Sequence, residues 1–379
     1  MTDLVLRGGR VIDPASGRNE TADIAFGDGK ITEIARDLPA SGAEIVDVRG
    51  LIVVPGLIDL HTHVYWGGTS LGVEAVEVAR QSGTTTFVDA GSAGAGTFHG
   101  FRRHVIERSP LRIIPYLNVS FPGIFAVSAA VTVGECADLR LLDPRECVSV
   151  IRANRDLIAG VKVRVGRNAG GASGVAPLDI ALEVAEETGL PVMAHLDNPP
   201  PSRLEVLARL RRGDILTHCF RPFPNAPARE DGHIREEVLE ARRRGVIFDI
   251  GHGSGSFGFR TAEAMLTAGF LPDVISSDVH AISIKGPAFD QLMTMSKFLC
   301  LGMELTDAIR ASTAAPAAAL GRTDIGRLEI GAIGDASVLE LVEGVFEYRD
   351  VLGQVGAARQ ELKIRGLVVG GRWWHPPRA

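Results

Sequence analysis

Two histidines, His61 and His63, stand at alternate positions after an apolar stretch, and this pattern could bind a metal ion. The stretch covers residues 51–60 and is interrupted by a Pro-Gly pair. Side chains alternate between the two faces of a β-strand, so both imidazoles would project from one face at the end of a buried strand. Imidazole is a common ligand of zinc and other transition metals. A chance His-x-His in a loop is the alternative.

Further candidate ligands stand at the ends of later apolar runs. His195, His218 and Asp278 each end a short, mostly apolar segment. His61 and Asp278 lie 217 residues apart, which is seven intervals of 31 residues. A β/α barrel of about 250 residues has eight units of similar length, and its active site lies at the C-terminal ends of the strands. The spacing therefore predicts an α/β fold with a (β/α)8 barrel, in which these residues end strands 1, 5, 6 and 8.

A lysine lies inside another predicted barrel strand. Lys162 is at the centre of the β-branched run 160–165, 101 residues after His61, which would place it on strand 4. The chain has 35 arginines and only five lysines, so a lysine within an apolar strand stands out. Burial would lower its pKa and favour the neutral amine, which can react with CO₂ to form a carbamate able to bridge two metals. A solvated lysine on an exposed strand is the alternative.

The two ends of the chain differ in pattern from its centre. Residues 1–54 contain short runs of β-forming residues between Gly and Asp turns, and residues 323–379 return to this pattern. We therefore expect a small β-sandwich built from both termini, beside a barrel formed by residues 55–322. At 379 residues, with 45% hydrophobic residues, the chain is long enough for both units.

Two helices and one irregular segment can be predicted within the barrel region. Residues 177–187 form an amphipathic pattern that starts at a proline and stops at Gly189. The Ala-rich residues 308–320 predict a helix that ends the barrel. The segment from Ser120 to Pro144 has no clear period and could form a lid over the site.

The overall composition argues against several classes of partner. The formal net charge is −6 and the charges are interspersed, which favours neither nucleic acid nor a membrane surface. No uninterrupted apolar run approaches the ~20 residues of a membrane span, and no secretion signal is evident. The four cysteines show no CxxC spacing, so we expect reduced thiols and a cytoplasmic location. A small-molecule substrate is the expected partner, and an even-numbered homo-oligomer is compatible with the sequence.

These motifs together resemble the amidohydrolase superfamily, over nearly the whole chain. The similarity is greatest to its dihydroorotase-like branch, which is regarded as deacetylase-like. The segments that carry the resemblance are Pro55–His63, Val161–Arg164, Phe248–Gly253 and Ser277–His280, together with His195 and His218. The resemblance implies a site for two divalent metal ions, zinc being expected, with a bridging hydroxide as the nucleophile.

The resemblance also implies a role for each ligand. His61, His63 and Asp278 would bind one metal, and His195 and His218 would bind the other. Carboxylated Lys162 would bridge the two metals. Asp278 would in addition act as the catalytic acid–base, passing a proton from the attacking hydroxide to the leaving group.

Four further residues are candidates for contact with the substrate. Arg164 shares the inward face of its strand with Lys162 and could bind a substrate carboxylate, although a structural ion pair is an equal alternative. Tyr65 could contribute to an apolar wall, or could simply pack in the core. His280 could orient Asp278 or touch the substrate. His252 lies in a glycine-rich loop after strand 7, where a hydrogen-bonded loop histidine is the alternative.

The sequence favours hydrolysis of an amide or ester acyl bond in a small acylated acid. A cyclic amidohydrolase of the dihydroorotase or hydantoinase type is the alternative, although the arginine that follows His-x-His in dihydroorotases is absent here. A deaminase is less compatible, because the mononuclear deaminases of the superfamily lack the lysine of strand 4. A non-catalytic scaffold would be expected to have lost ligands, whereas all six ligand positions are filled.

Overall fold

A computed structural model describes residues 2–39 and 41–374 of the chain. The last five residues of the predicted C-terminal segment lie outside the described part. The strands fall into two sheets, one formed by both ends of the chain and one formed by its centre. The predicted α/β fold, a barrel beside a β-unit made by both termini, is confirmed.

The described residues form fifteen strands and eleven α-helices. The strands are β1 (Leu4–Asp13), β2 (Arg18–Gly27), β3 (Lys30–Ala35), β4 (Glu44–Asp47), β5 (Ile52–Pro55), β6 (Leu57–Thr62), β7 (Thr84–Gly94), β8 (Arg112–Asn118), β9 (Gly160–Val165), β10 (Val192–Leu196), β11 (Ile215–Leu216), β12 (Ile247–Phe248), β13 (Ala336–Arg349), β14 (Val355–Val369) and β15 (Arg372–Trp373). The helices are α1 (Ala75–Ser82), α2 (Phe98–His104), α3 (Pro144–Ala153), α4 (Arg167–Gly170), α5 (Ala176–Thr188), α6 (Arg203–Leu207), α7 (Glu236–Arg244), α8 (Phe259–Thr267), α9 (Gln291–Cys300), α10 (Leu305–Arg310) and α11 (Ala314–Ala319).

The strands of the two termini form one eight-stranded, mostly antiparallel sheet. Its order is β15-β14-β13-β5-β1-β2-β3, and β4 pairs with β1. Ile31 of β3 and Val368 of β14 stand near opposite ends of this order, yet both belong to one buried cluster. The sheet therefore folds over its own core, as the two layers of a sandwich do. The chain passes from this sheet into the barrel between β5 and β6, at Gly56.

The central strands form the barrel. β6 to β12 pair in chain order as a parallel sheet. Asp249, just after β12, forms a parallel bridge with Val274, and Val279 forms another with Thr62 of β6. Residues 274–279 therefore act as the eighth strand and close the barrel. The strands predicted to carry His61, Lys162, His195, His218 and Asp278 are present at their predicted positions.

The helix predictions are confirmed at α5 and wrong at the end of the barrel. α5 ends at Gly189, which has a left-handed φ of 69° and stops the helix as expected. The predicted helix over residues 308–320 is broken into α10 and α11. The carbonyl of Ala311 accepts a hydrogen bond from the Ile275 N–H, and that of Ser312 accepts one from the Ile58 N–H, each at 2.9 Å. The break lets these two carbonyls satisfy barrel strands instead of the next helical turn.

The barrel has an apolar interior on the N-terminal side of the predicted ligands. One buried cluster takes Leu60 from β6, Met193 from β10, Ile215 from β11 and Val274 from the eighth strand. Each of these residues precedes a predicted ligand in its own strand. The ligands therefore stand on top of a packed core, at the C-terminal ends of the strands. No helix in the described part of the chain combines the length and apolarity needed to cross a lipid bilayer.

Candidate metal centre and active site

The barrel brings the six predicted metal ligands to one place. His61 lies one residue before the end of β6, and His63 follows the strand. Lys162 lies in β9, His195 lies in β10, His218 follows β11 and Asp278 lies in the eighth strand. All six side chains are buried. β9 and β10 are paired so that Lys162 is opposite Met193 and Arg164 is opposite His195, and Arg164 lies nearer the C-terminal end of β9.

One group of ligands converges on the Asp278 carboxylate. Its Oδ1 atom lies 3.3 Å from Nε2 of His61 and 3.3 Å from Nε2 of His63. Nζ of Lys162 lies 3.4 Å from the same Nε2 atom of His61. Oδ1 of Asp278 is buried without a hydrogen-bond partner, so a strong acceptor inside the protein is left for a ligand.

His195 and His218 form the second group. Nδ1 of His195 lies 2.6 Å from Nε2 of His218. Nδ1 of His218 donates to the carbonyl of Gly251 at 2.6 Å, which leaves its Nε2 atom free of a proton. Nε2 of His195 is buried without a hydrogen-bond partner. Nδ1 of His195 and Nε2 of His218 therefore lie close enough to bind one shared ligand.

The donor atoms and their separations fit divalent metal ions. Zinc is bound by imidazole nitrogen and carboxylate oxygen at about 2.0–2.2 Å, which places neighbouring donors of a tetrahedral site roughly 3.3–3.5 Å apart. The 3.3 Å distances around Asp278 agree with this geometry. One donor atom each from His61, His218 and Asp278 also lies within 4.8 Å of the other two. The residues present can therefore hold such an ion.

A second layer of buried side chains orients the histidines, and the sequence analysis missed it. Nδ1 of His61 lies 2.7 Å from the hydroxyl of Thr217, which donates to Asp249 at 2.7 Å. Nδ1 of His63 lies 2.9 Å from the hydroxyl of Ser92, which donates to Asp89 at 2.8 Å. Such partners fix the tautomer and the ring orientation of metal-binding histidines. Asp89 within β7 and Asp249 directly after β12 were the available signal in the sequence.

Burial sets the protonation of the site. It lowers the pKa of Lys162 to about 7, because the effect of desolvation outweighs the opposing charge of Asp278. Burial raises the pKa of Asp278 to about 6 and lowers that of His63 to about 3. It also holds the pKa values of the other three imidazoles well below their usual range, those of His61, His195 and His218. All four imidazoles are therefore neutral at pH 7 and can bind a metal through a lone pair.

Two of the ligands have an uncommon backbone conformation. His218 has a φ of 63° and Asp278 has a φ of 49°. A positive φ is unfavourable for residues with a side chain and is often found at functional sites. Gly253 packs tightly beside one of them, since a Cβ atom added there would lie 2.3 Å from Oδ2 of Asp278. The backbone is therefore shaped to present these two side chains.

A cavity of about 190 Å³ opens above the ligands. Residues His61, His63, His195, His218 and Asp278 line it, and so does His280, one of the predicted substrate contacts. The segment predicted as a lid contributes Val127 to the lining. Within that segment the structure shows a short helical turn at Leu139–Leu141 and otherwise irregular backbone.

Two predicted substrate contacts do not reach this cavity. His252 is fully buried, with Nδ1 2.9 Å from the carbonyl of Gly253 and Nε2 2.8 Å from Nζ of Lys297. Its ring faces the interior, which agrees with the alternative of a hydrogen-bonded loop histidine. Tyr65 stacks on Phe101 with ring centroids 4.6 Å apart and donates its hydroxyl to a backbone carbonyl. The structure therefore does not bring these two residues to the cavity, where the sequence analysis expected them.

Arg164 lines the cavity but is already paired. Its Nη1 atom lies 3.1 Å and 3.2 Å from the two carboxylate oxygens of Glu135. The Glu135 side chain is fully buried. This geometry favours the structural ion pair over the predicted contact with a substrate carboxylate.

Sequence comparison identifies a family and a relative. The profile of the amidohydrolase family matches residues 52–374. A deacetylase of Brucella anthropi is 36% identical over 352 residues, which cover 92% of this chain and 87% of that protein.

Comparison with solved structures gives two strong similarities. The crystal structure of a dihydroorotase superposes with a TM-score of 0.91 at 33% identity, covering 99% of both chains. The crystal structure of an adenine deaminase superposes with a TM-score of 0.90 at 28% identity, covering 99% of this chain and 100% of the other.

Proposed function

Because this chain belongs to the amidohydrolase family, we propose that it is a metal-dependent hydrolase of acyl bonds. Its substrate would be a small acylated acid, and two divalent metal ions would assist hydrolysis of the amide or ester bond. The family and the hydrolytic enzyme class predicted from the sequence are confirmed. The scaffold alternative is thereby set aside. The acyl bond, the metal number and the zinc identity belong to the proposal.

The convergence of the strand-end ligands is the observation that carries this proposal. Asp278 Oδ1 lies equally close to Nε2 of His61 and of His63, at 3.3 Å, and has no hydrogen-bond donor. A buried carboxylate oxygen without a donor is costly unless a cation or a proton compensates it. In the same cluster Nζ of Lys162 lies 3.4 Å from Nε2 of His61, so the amine lies among the proposed metal ligands.

The chemistry follows from the donors and from the carboxylate beside them. Two divalent ions would supply an activated water and a polarised carbonyl when bound. Asp278 would accept one proton from the attacking water and return it to the leaving nitrogen or oxygen as the C–N or C–O bond breaks. The water oxygen stays in the released carboxylic acid, and the other product is an amine or an alcohol. His63 and His61 hold their orientation through Ser92 and Thr217 while this proton moves.

The deacetylase relative supports the choice of an acyl bond, and the dihydroorotase similarity supports the alternative of a cyclic amide. No arginine follows His63 within Val64–Gly68, which weakens the dihydroorotase alternative. The similarity to an adenine deaminase makes the 6-amino group of a purine a third candidate. Lys162 in the metal cluster weighs against it.

Metal content tests the binuclear proposal directly. Protein purified with zinc and bicarbonate should contain about two metal ions per chain, measured by atomic emission. Lys162→Ala should lose metal and activity together. Lys363→Ala is the matched control, because the Lys363 side chain is 46% exposed and lies in the terminal sheet. One metal or none in the wild type would contradict the carbamate bridge.

A substrate screen tests which type of bond is hydrolysed. N-acetyl and O-acetyl acids should be hydrolysed faster than cyclic ureides, and adenine should not be deaminated. A preference for hydantoins or dihydroorotate would replace the proposal by its cyclic-amide alternative. Release of ammonia from adenine would contradict both.

A further inference from the structure

A second arginine lines the cavity and lacks an ionic partner. Arg221 follows His218 by three residues and is 9% exposed. Within the described part of the chain its guanidinium makes one hydrogen bond, from Nη1 to the carbonyl of Leu196, the residue after His195. Its Nε atom is buried without a partner, and among the described residues no carboxylate oxygen lies within 4.0 Å of its guanidinium. A buried guanidinium therefore borders the site with unused donors.

The acidic residue nearest to this arginine is already occupied. Asp197 lines the same cavity, and its carboxylate accepts hydrogen bonds from the backbone N–H groups of Asn168 and Ala169 at 3.1 Å and 3.2 Å. The Asp197 carboxylate influences the charge of Arg221 but lies more than 4.0 Å from its guanidinium, too far for an ion pair. Arg164, in contrast, has both oxygens of Glu135 at hydrogen-bond distance. Of the two arginines that line the cavity, Arg164 is compensated and Arg221 is not.

A charge held in a buried site is costly unless an opposite charge meets it, and a guanidinium matches a carboxylate with two parallel hydrogen bonds. Accordingly, we propose that Arg221 binds the carboxylate of the substrate. This inference rests on the proposed hydrolysis of an acylated acid and names the residue that recognises the acid. Arg164 is then a positioning residue held by Glu135.

The remaining lining residues agree with this orientation. Arg221, Asp197 and Asn168 follow strands 6, 5 and 4 of the barrel and form a polar side of the cavity. Leu71, Val127 and Ile282 follow strands 1, 3 and 8 and form an apolar side. A substrate with its carboxylate at Arg221 would turn its apolar portion toward the second side.

The test compares an acid with its neutral counterpart. The probes are O-acetyl-lactate and O-acetyl-lactamide, which share the scissile ester and differ only in the carboxylate. The wild type should prefer the acid, and Arg221→Met should lose on the order of 100-fold in kcat/KM for the acid, mainly through KM. Its kcat/KM for the amide should stay within about 3-fold of the wild-type value. Arg229→Met is the matched control, since Arg229 is exposed in the same loop.

Binding of lactate to the zinc-loaded proteins, measured by calorimetry, separates the two ideas. Weaker binding to Arg221→Met than to the wild type would support the carboxylate contact even if neither ester is hydrolysed, an outcome that would count against the acyl-bond proposal alone. An equal loss on both esters with unchanged lactate binding would overturn the role of Arg221. A wild type that hydrolyses the amide as well as the acid would also overturn it.

Discussion

Nζ of Lys297 lies 2.8 Å from Nε2 of His252, inside the protein and away from the cavity. Lys297 is 1% exposed and also donates to the carbonyls of Pro287 and Arg349, at 2.6 Å and 2.8 Å. One side chain of α9 thereby links three segments, namely the loop after β12, the loop before α9 and the end of β13. The same contact explains why His252 does not face the substrate.

Replacement of this lysine should destabilise the whole fold. Lys297→Met removes the donor of one buried imidazole nitrogen and of two partly buried carbonyls, and a buried unsatisfied group costs about 1–3 kcal/mol. We expect a loss of about 3 kcal/mol in the free energy of unfolding, measured by urea denaturation. Lys285→Met is the control, because Lys285 is exposed and should change stability by less than about 0.5 kcal/mol. Equal stability of the two variants would show that the Lys297 contacts contribute nothing.

The glycine that packs against the predicted carbamate residue gives a second prediction. Gly91 has a φ of 76°, and an added Cβ atom would lie 2.6 Å from Cβ and Cγ of Lys162. Gly91→Ala should therefore both destabilise the protein and displace Lys162, with a loss of bound metal. Gly50→Ala is a close control, since Gly50 has a φ of 79° and nothing within 4 Å of the added atom. The backbone cost of about 1–3 kcal/mol is common to both variants, so the difference in Tm and metal content reports the contact.

The buried ion pair at Arg164 predicts a third effect. Glu135→Gln would leave the guanidinium without its counter-charge, and breaking a buried pair in this way costs about 3–5 kcal/mol. Glu77→Gln breaks the partly exposed helical pair with Arg80 and should cost no more than about 0.5 kcal/mol. Denaturant midpoints of the two variants measure the difference. A Glu135→Gln variant as stable as Glu77→Gln would mean that Arg164 does not need this partner.

The convergence of the proposed metal ligands could be predicted because barrel geometry repeats. His61, His195, His218 and Asp278 stand near strand ends and Lys162 stands within a strand. Their spacings are close to whole numbers of barrel units, which converts directly into positions around the barrel. The strands, α5 and the terminal sheet could be predicted from local patterns of apolar, turn-forming and helix-capping residues. The predicted domain boundaries, cytoplasmic location and homo-oligomer stay predictions.

The positions of the side chains around the cavity could not be predicted, because they depend on loops. Arg221 lies in a segment without a regular pattern of apolar residues, and nothing in the neighbouring sequence shows that it lacks a carboxylate partner. The side chain of His252 turns away from the cavity because the loop that carries it has positive φ values at both neighbouring glycines, Gly251 and Gly253. Tyr65, which follows β6, stacks on the ring of Phe101 in α2. Such orientations require the tertiary structure.

The lowered pKa of Lys162 predicts how fast the metal-free protein regains its metals. Its amine must be neutral to attack CO₂, forming an N–C bond and releasing a proton. Because burial lowers the pKa to about 7, the neutral fraction rises from pH 6 to pH 8 and then levels. At fixed dissolved CO₂ and excess zinc, the rate of activity recovery should follow that curve.

A lysine with the ordinary pKa of about 10.4 would instead give a rate that keeps rising roughly tenfold per pH unit to pH 9. The imidazoles do not obscure the result, since burial keeps them neutral throughout this range. A rate that is independent of pH, or of CO₂, would contradict carbamate formation at Lys162.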